Sequence, residues 1–181
     1  VDAVGLRARE PGDSSAIASL FTSVFSNSEG EQQGSLIGKL ARDLIAGTDP
    51  GDLHGFVAVD GKHIVGAIFF SRLTFEKAVE AFILAPVAVH TEHQGQGIGQ
   101  ALITHGLREM KKRGARVVAT YGDPAFYSKV GFHPLSQDVI AAPLPLSQPE
   151  GWLGKSLTDD PLEKIPGPCS CVKALDDPAY W

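Results

Sequence analysis

The sequence predicts an α/β chain (α+β mixed), with a central mixed β-sheet flanked by helices. Three observations carry this. Asp60-Gly61 is a hairpin signal between two apolar strands, Gly55–Asp60 and Ile64–Phe75. An apolar run, Glu80–His90, passes through a glycine-rich loop into an amphipathic helix from about Gly97 to Arg113. Helical stripes precede the hairpin, and a strand, a short helix and a strand follow the long helix. The order is therefore β-α-α-β-β-β-α-β-α-β, which a mixed sheet accommodates.

Val4–Arg9 alternates apolar and charged residues and reads as a half-buried strand. Gly12-Asp13 followed by Ser14-Ser15 opens a helix, with Asp13 or a neighbouring serine as its cap. Ile17, Leu20, Phe21, Val24 and Phe25 recur at helical spacing. Asn27–Gly34 reads as a polar loop. Leu36, Ile37, Leu40, Leu44 and Ile45 form a second stripe that stops at Gly47. A turn at Thr48–Asp52 leads into the hairpin.

Glu80–His90 is apolar on both faces, as a central strand should be. It contains Pro86, which has no N–H for a ladder bond. The strand is expected to be bulged or unpaired on one side there, leaving a slot and free backbone groups. In the helix that follows, Ile98, Leu102, Ile103, Leu107 and Met110 face the core and Gly114 is the stop. Arg116–Thr120 is a strand. Asp123 caps a short helix with Pro124 in its first position, carrying Ala125, Phe126, Tyr127 and Val130. Gly131 ends it and Phe132–Leu135 begins another strand.

Seven of the twelve prolines lie after residue 140, and order is less regular there. Gly151–Leu157 and Cys169–Leu175 are expected to be strands closing the sheet. Tyr180-Trp181 is expected to pack back or form a contact. No repeat or linker divides the chain. We read one domain over residues 1–181, with a core at about 3–136 and a C-terminal extension at 137–181.

At 181 residues and 43% hydrophobic content the chain can bury a real core. A net charge of −5 disfavours wrapping nucleic acid. The bases Arg108, Lys111, Lys112 and Arg113 sit in the last turns of the long helix, where they complement its dipole. No apolar run is long enough for a membrane span, so no membrane partner is expected, and the sparse cysteines point to a reduced, cytoplasmic protein. Cys169 and Cys171 form a lone C-x-C pair, read as reduced structural thiols. His54, His63, His93, His105 and His133 show no metal-ligand spacing, and no metal is expected.

The loop between strand and long helix reads Gln94-Gly95-Gln96-Gly97-Ile98-Gly99-Gln100. Glycines allow close backbone approach, and the helix start offers orphan N–H groups with partial positive charge. Together they suit a phosphate or pyrophosphate. A Walker A loop would need a lysine that is absent, and G-x-G-x-x-G fails at Gln100. What remains is Gln94-x-x-Gly97-x-Gly99. It resembles the acetyl-CoA loop of the GNAT N-acetyltransferase superfamily. Asp123-Pro124-Ala125-Phe126-Tyr127-Ser128-Lys129-Val130-Gly131-Phe132 resembles the family's closing segment, Tyr-x-x-x-Gly-Phe. The loop, Tyr127, Gly131-Phe132 and the final Asp-Asp-Pro-Ala-Tyr-Trp are similar to the bacterial YhbS-like subgroup. The resemblance covers about residues 3 to 136 and is most specific from 80 to 133.

The resemblance implies the GNAT fold, a twisted sheet splayed between its fourth and fifth strands. It also implies acyl transfer from acetyl-CoA to a primary amine in a ternary complex. Gln94, Gly95, Gln96, Gly97, Ile98, Gly99 and Gln100 would hold the pyrophosphate. Val87, Ala88 and Val89 would pair with the pantetheine arm, with an N–H of Val87 or Ala88 on the oxyanion. Phe126 and Tyr127 would complete the cofactor site, and Tyr127 would be the general acid for the leaving thiolate. Glu80 and His90 border the key strand and are the candidate bases. Where some members carry a catalytic Glu, this chain has Ile83. Its partners would be acetyl-CoA and an amine acceptor, with a homodimer as the candidate assembly. The alternative reading is an acyl-CoA-binding sensor or scaffold of the same fold; a nucleotide-binding regulator is disfavoured by the missing lysine.

Overall fold

The computed structural model describes residues 4–181. The chain forms β1 (Gly5–Ala8), α1 (Ser14–Glu29), α2 (Glu31–Gly47), β2 (Leu53–Asp60), β3 (His63–Leu73), β4 (Ala81–Val89), α3 (Ile98–Lys112), β5 (Val117–Tyr121), α4 (Pro124–Tyr127), β6 (His133–Pro134) and β7 (Trp152–Ser156), with short 3-10 turns between some of them. One seven-stranded sheet runs in the order β1-β2-β3-β4-β5-β7-β6. β1 pairs antiparallel with β2, β4 parallel with β5, and β7 antiparallel with both β5 and β6. The sheet is mixed, as the element order requires. The chain packs as two compact units: residues up to Phe69 with Pro86–Gly106, and Phe70–Ala85 with Leu107–Trp181.

In the first unit, α1 buries Ile17, Leu20, Phe21 and Val24, and α2 buries Ile37, Leu40, Ala41 and Leu44. Phe21 lies 6.1 Å from Phe69 of β3, ring centre to ring centre. The expected polar loop over Asn27–Gly34 does not form. α1 continues to Glu29, α2 starts at Glu31, and only Gly30, at φ 97°, breaks the helix. The polar residues there are the exposed faces of two helix ends. Gly34 and Gly38 lie against α1: a Cβ at Gly34 would stand 2.6 Å from the Thr22 carbonyl oxygen. Asp13 precedes α1, but its side chain does not cap it. The carboxylate instead receives Arg7 at 2.7 and 3.1 Å and the Glu10 N–H at 2.8 Å. This arrangement holds the Asp13 carboxyl below its usual range, chiefly through the Arg7 bond.

The second unit is built around β5 and β7. Trp152 is buried and its indole N–H donates to the Ile140 carbonyl at 3.0 Å. Trp181 packs back as expected: it stacks on Tyr121 at 6.0 Å and donates to the Leu175 carbonyl at 2.9 Å. β7 lies between β5 and β6, so the strand latest in sequence fills an interior position. β6 is only His133–Pro134, because Pro134 cannot donate to a ladder. The expected strand over Cys169–Leu175 is absent. A single bridge joins Thr74 to Ser170, and a 3-10 turn takes Lys173–Leu175. Pro168 removes a donor on the N-terminal side of that bridge, and the 3-10 turn takes the chain away on the other. Both cysteines are free; Cys169 is buried and Cys171 half-buried.

Candidate active site

The parallel β4–β5 ladder runs from Ala81↔Val117 to Leu84↔Thr120 and stops. Pro86 follows two residues later, where the sequence places a break in pairing. The rung before the break is closed by the buried Thr120 hydroxyl, which donates to the Leu84 carbonyl at 2.8 Å. β4 nevertheless continues through Pro86, Val87, Ala88 and Val89. Just past it, the His90 N–H donates to the Val65 carbonyl of β3 at 2.7 Å.

Beyond β4 the chain enters the glycine loop. Thr91–His93 makes a 3-10 turn. Gln94 donates its side-chain amide to the Val89 carbonyl at 3.0 Å, fixing the loop's entry. Gly95 and Gly97 take φ 79° and 78°, a region that side chains resist. A Cβ at either would meet nothing within 4 Å, so these glycines serve backbone conformation and leave open space before them. The first α3 bond runs from the Ala101 N–H to the Gly97 carbonyl at 3.0 Å. The amides of Ile98, Gly99 and Gln100 thus open the helix without i−4 partners, the arrangement an anion needs. Ile98 is buried and anchors the helix start.

Two histidines flank this loop. His90 accepts the Glu92 N–H on Nδ1 at 3.1 Å, and its ring meets His93 edge-on at 5.5 Å. His93 pairs through Nε2 with Asp60 at 3.1 Å, tying the loop to the β2–β3 hairpin. Glu80 lies at the other end of β4. It is exposed, engages Arg72 at 2.9 Å, and the Arg72 guanidinium rests 4.8 Å from the Phe82 ring centre. In the chain, Glu80 precedes β4 and His90 follows it. Ile83, at the position where some family members carry a Glu, is 1% exposed opposite Ala119.

Tyr127 closes α4. Asp123 caps that helix by accepting the Ala125 N–H at 2.9 Å. Gly122 is a glycine because the phenol ring lies on it: a Cβ there would come within 2.7 Å of the ring. Phe126 and Phe132 meet the ring edge-on at 5.0 and 5.7 Å. Gly131, at φ 91°, turns the chain so that the Phe132 N–H reaches the Tyr127 carbonyl at 3.2 Å. Burial pushes the phenol up to about 12, against a hydrogen-bonding pull from Thr120 in the opposite direction. Val87, Ala88, Val89 and Gln94–Gln100 belong to the first unit, and Phe126 and Tyr127 to the second. Thr120 and the Asp60–His93 pair escape a sequence reading; a lone Thr in an apolar strand, Val118-Ala119-Thr120, is the only trace of the first.

Among the described residues no group of His, Cys, Asp and Glu is placed to hold a metal ion. Among them too, no helix is long and apolar enough to cross a membrane.

Residues 51–134 match the acetyltransferase (GNAT) domain. The uncharacterized N-acetyltransferase YjhQ of Escherichia coli strain K12 is 36% identical over 54% of this chain and 58% of its own length, so the match leaves over a third of that relative uncovered. The uncharacterized N-acetyltransferase YhbS of the same strain is 30% identical over 62% of this chain and 68% of its own. The crystal structure of E. coli YhbS in complex with CoA superposes with a TM-score of 0.83 at 26% identity, covering 98% of this chain and 96% of that one. On these likenesses the chain belongs to the GNAT family of acetyltransferases.

Proposed function

We propose that this chain transfers an acetyl group from acetyl-CoA to a primary amine, by direct attack within a ternary complex. The observation that carries the reading is the β4–β5 ladder, which ends at Leu84↔Thr120 while β4 runs on into a loop with glycines at φ 79° and 78°. YhbS, crystallised with CoA, supports the choice of acyl donor.

In this reading the amides at Gln94–Gln100 take the pyrophosphate, and Val87, Ala88 and Val89 pair with the pantetheine arm. An N–H of Val87 or Ala88 stabilises the oxyanion as the amine nitrogen bonds to the thioester carbon. The C–S bond then breaks and sulfur leaves as a thiolate. Phe126 supplies apolar wall, and Tyr127 presents its O–H to the departing sulfur. Burial raises the phenol to about 12, above an ordinary thiol at about 8.5, so the phenol holds its proton more tightly than the departing sulfur. Tyr127 therefore acts first as a hydrogen-bond donor to the thiolate, with protonation completed from water.

The attacking amine must lose a proton. His90 already spends Nδ1 on the Glu92 amide, Glu80 is engaged by Arg72, and position 83 is apolar. Water takes that proton, or the amine arrives neutral. Calorimetric titration with acetyl-CoA, followed by thiol detection over a panel of primary amines, tests the proposal. Micromolar binding with amine-dependent thiol release is expected. Binding without release on any amine would assign the sensor reading instead, and no binding would end both.

A further inference from the structure

Arg9 makes no ion pair among the described residues, and Asp13 acts on it only at a distance. It follows β1, with its N–H donating to the Gly55 carbonyl of β2 at 2.9 Å. Its stem lies across Gly55: a Cβ there would stand 2.6 Å from Arg9 Cδ, 3.0 Å from Cγ and 3.0 Å from the Phe69 ring. Position 55 is thus vacated of side chain, and the arginine stem and an aromatic ring fill the space. The guanidinium pays for this placement, because its Nε is buried without a hydrogen-bond partner. Burial also lowers its pKa, against a weaker opposing pull from the Asp13 carboxylate. The nearby carboxylate, Asp13, receives both Arg7 nitrogens and the Glu10 N–H and makes no hydrogen bond with Arg9. No ion pair or side-chain hydrogen bond of Arg9 is found among the described residues.

A held, half-desolvated guanidinium whose Nε lacks a partner suits a carboxylate, which an arginine can grip with two parallel bonds. We infer that Arg9 binds a carboxylate on the amine acceptor, resting on the acetyltransferase reading above. Arg9 pairs at the β1 side of the sheet and β4 is three strands away. Strands lie about 4.8 Å apart, a lateral separation of roughly 14 Å. An extended peptide covers up to about 3.5 Å per residue. After the reach of the arginine itself, roughly two to four residues separate the amine from the carboxylate. The acceptor is a short peptide or a long ω-amino acid, with its amine toward β4 and its carboxylate on Arg9.

The test uses the full chain with acetyl-CoA and glycine peptides of two, three and four residues, each as free acid and as C-terminal amide. For at least one length the acid should exceed its amide by about tenfold or more in kcat/KM. Arg9→Met keeps the stem on Gly55 and removes the charge. It should lower kcat/KM for the acid to the level of the amide, chiefly through KM, and leave the amide and acetyl-CoA affinity unchanged. Arg9→Lys should recover only part of the preference, since it cannot grip bidentately. Calorimetry of N-acetyl-triglycine against the CoA-saturated protein should show binding that Arg9→Met loses. Equal rates on acid and amide at every length, or an equal loss on both in Arg9→Met, overturn the inference and leave the acetyltransferase reading standing. Arg9-dependent peptide binding with no turnover on any amine overturns that reading and leaves the carboxylate site standing.

Discussion

The Thr120 hydroxyl donates to the Leu84 carbonyl at 2.8 Å in the same rung where the β4–β5 ladder ends. Both residues are fully buried, so this bond has no competition from water. It pins the last rung two residues before Pro86. Thr120→Val keeps the shape and removes the donor. It should cost about 1 kcal/mol in urea unfolding, since one net hydrogen bond is lost and the carbonyl retains its sheet environment. Thr120 also pulls the Tyr127 phenol downward.

Tyr127→Phe should cut kcat by about tenfold or more while acetyl-CoA affinity by calorimetry changes little. The pH dependence sharpens this. The folded phenol titrates near 12 and the unfolded one near 10. Between those values the native state binds the extra proton, so stability is full below pH 10 and falls as pH rises toward 12. The phenylalanine variant should lose that alkaline component of its unfolding curve. In the wild type, the pH profile of kcat should show no descending limb from Tyr127 below about pH 11. Unchanged kcat in Tyr127→Phe removes the phenol from the mechanism.

The order of elements and the break in β4 were legible because each rests on local chemistry. Pro86 has no N–H, Asp60-Gly61 turns tightly, and Gly97 and Gly114 bracket a stripe of apolar residues. The misread stretches are those where tertiary context decides. Asn27–Gly34 is polar and looks like a loop, yet Gly34 is small because α1 lies against it. Cys169–Leu175 reads as a closing strand, but it holds a single bridge and then turns at Lys173–Leu175. The position of β7 between β5 and β6 follows no local rule. Within the site, the glycine loop and Tyr127 carry motifs. Arg9 carries none: its stem lies where Gly55, forty-odd residues later, leaves room for it.

Gly97→Ala and Gly97→Glu separate conformation from ligand. Neither side chain would meet a neighbour within 4 Å, so packing is not at stake. The backbone at φ 78° penalises any Cβ by roughly 1 kcal/mol. Both variants should show a similar small drop in Tm. Only the glutamate adds a negative charge where the pyrophosphate is proposed to lie. Acetyl-CoA binding should weaken moderately in Gly97→Ala and vanish in Gly97→Glu; intact affinity in the latter contradicts the loop assignment.

Cys169 and Cys171 should be inert thiols. Burial pushes Cys169 up to about 12 and Cys171 to about 11, with Cys171 raising the former and Asp176 the latter. Only thiolate attacks a disulfide reagent, and at neutral pH almost none is present. The native protein should react with an aromatic disulfide reagent far more slowly than the urea-unfolded chain. The sign for stability follows: the folded thiols keep protons that the unfolded chain sheds near 9, so stability falls as pH rises from 9 toward 11–12. Fast native labelling at pH 7 would show that the segment opens.

Gly34→Ala tests how closely α1 and α2 pack. Inside an exposed helix the change would stabilise by about 1 kcal/mol, because alanine loses less backbone entropy. Here the new Cβ would stand within contact-violating range of the Ser26 hydroxyl and 2.6 Å from the Thr22 carbonyl oxygen. The serine can rotate away. The carbonyl belongs to the α1 backbone and can yield only if the helices part, which costs about 1–3 kcal/mol in a well-packed contact. The clash outweighs the propensity gain, so Tm should fall by several degrees. Gly47→Ala is the control: it ends the same helix with nothing within 4 Å of its Cβ. Its Tm should hold or rise, since only the unfolded-chain entropy changes. A rise in both variants would mean that the helices sit further apart than the Thr22–Gly34 contact implies.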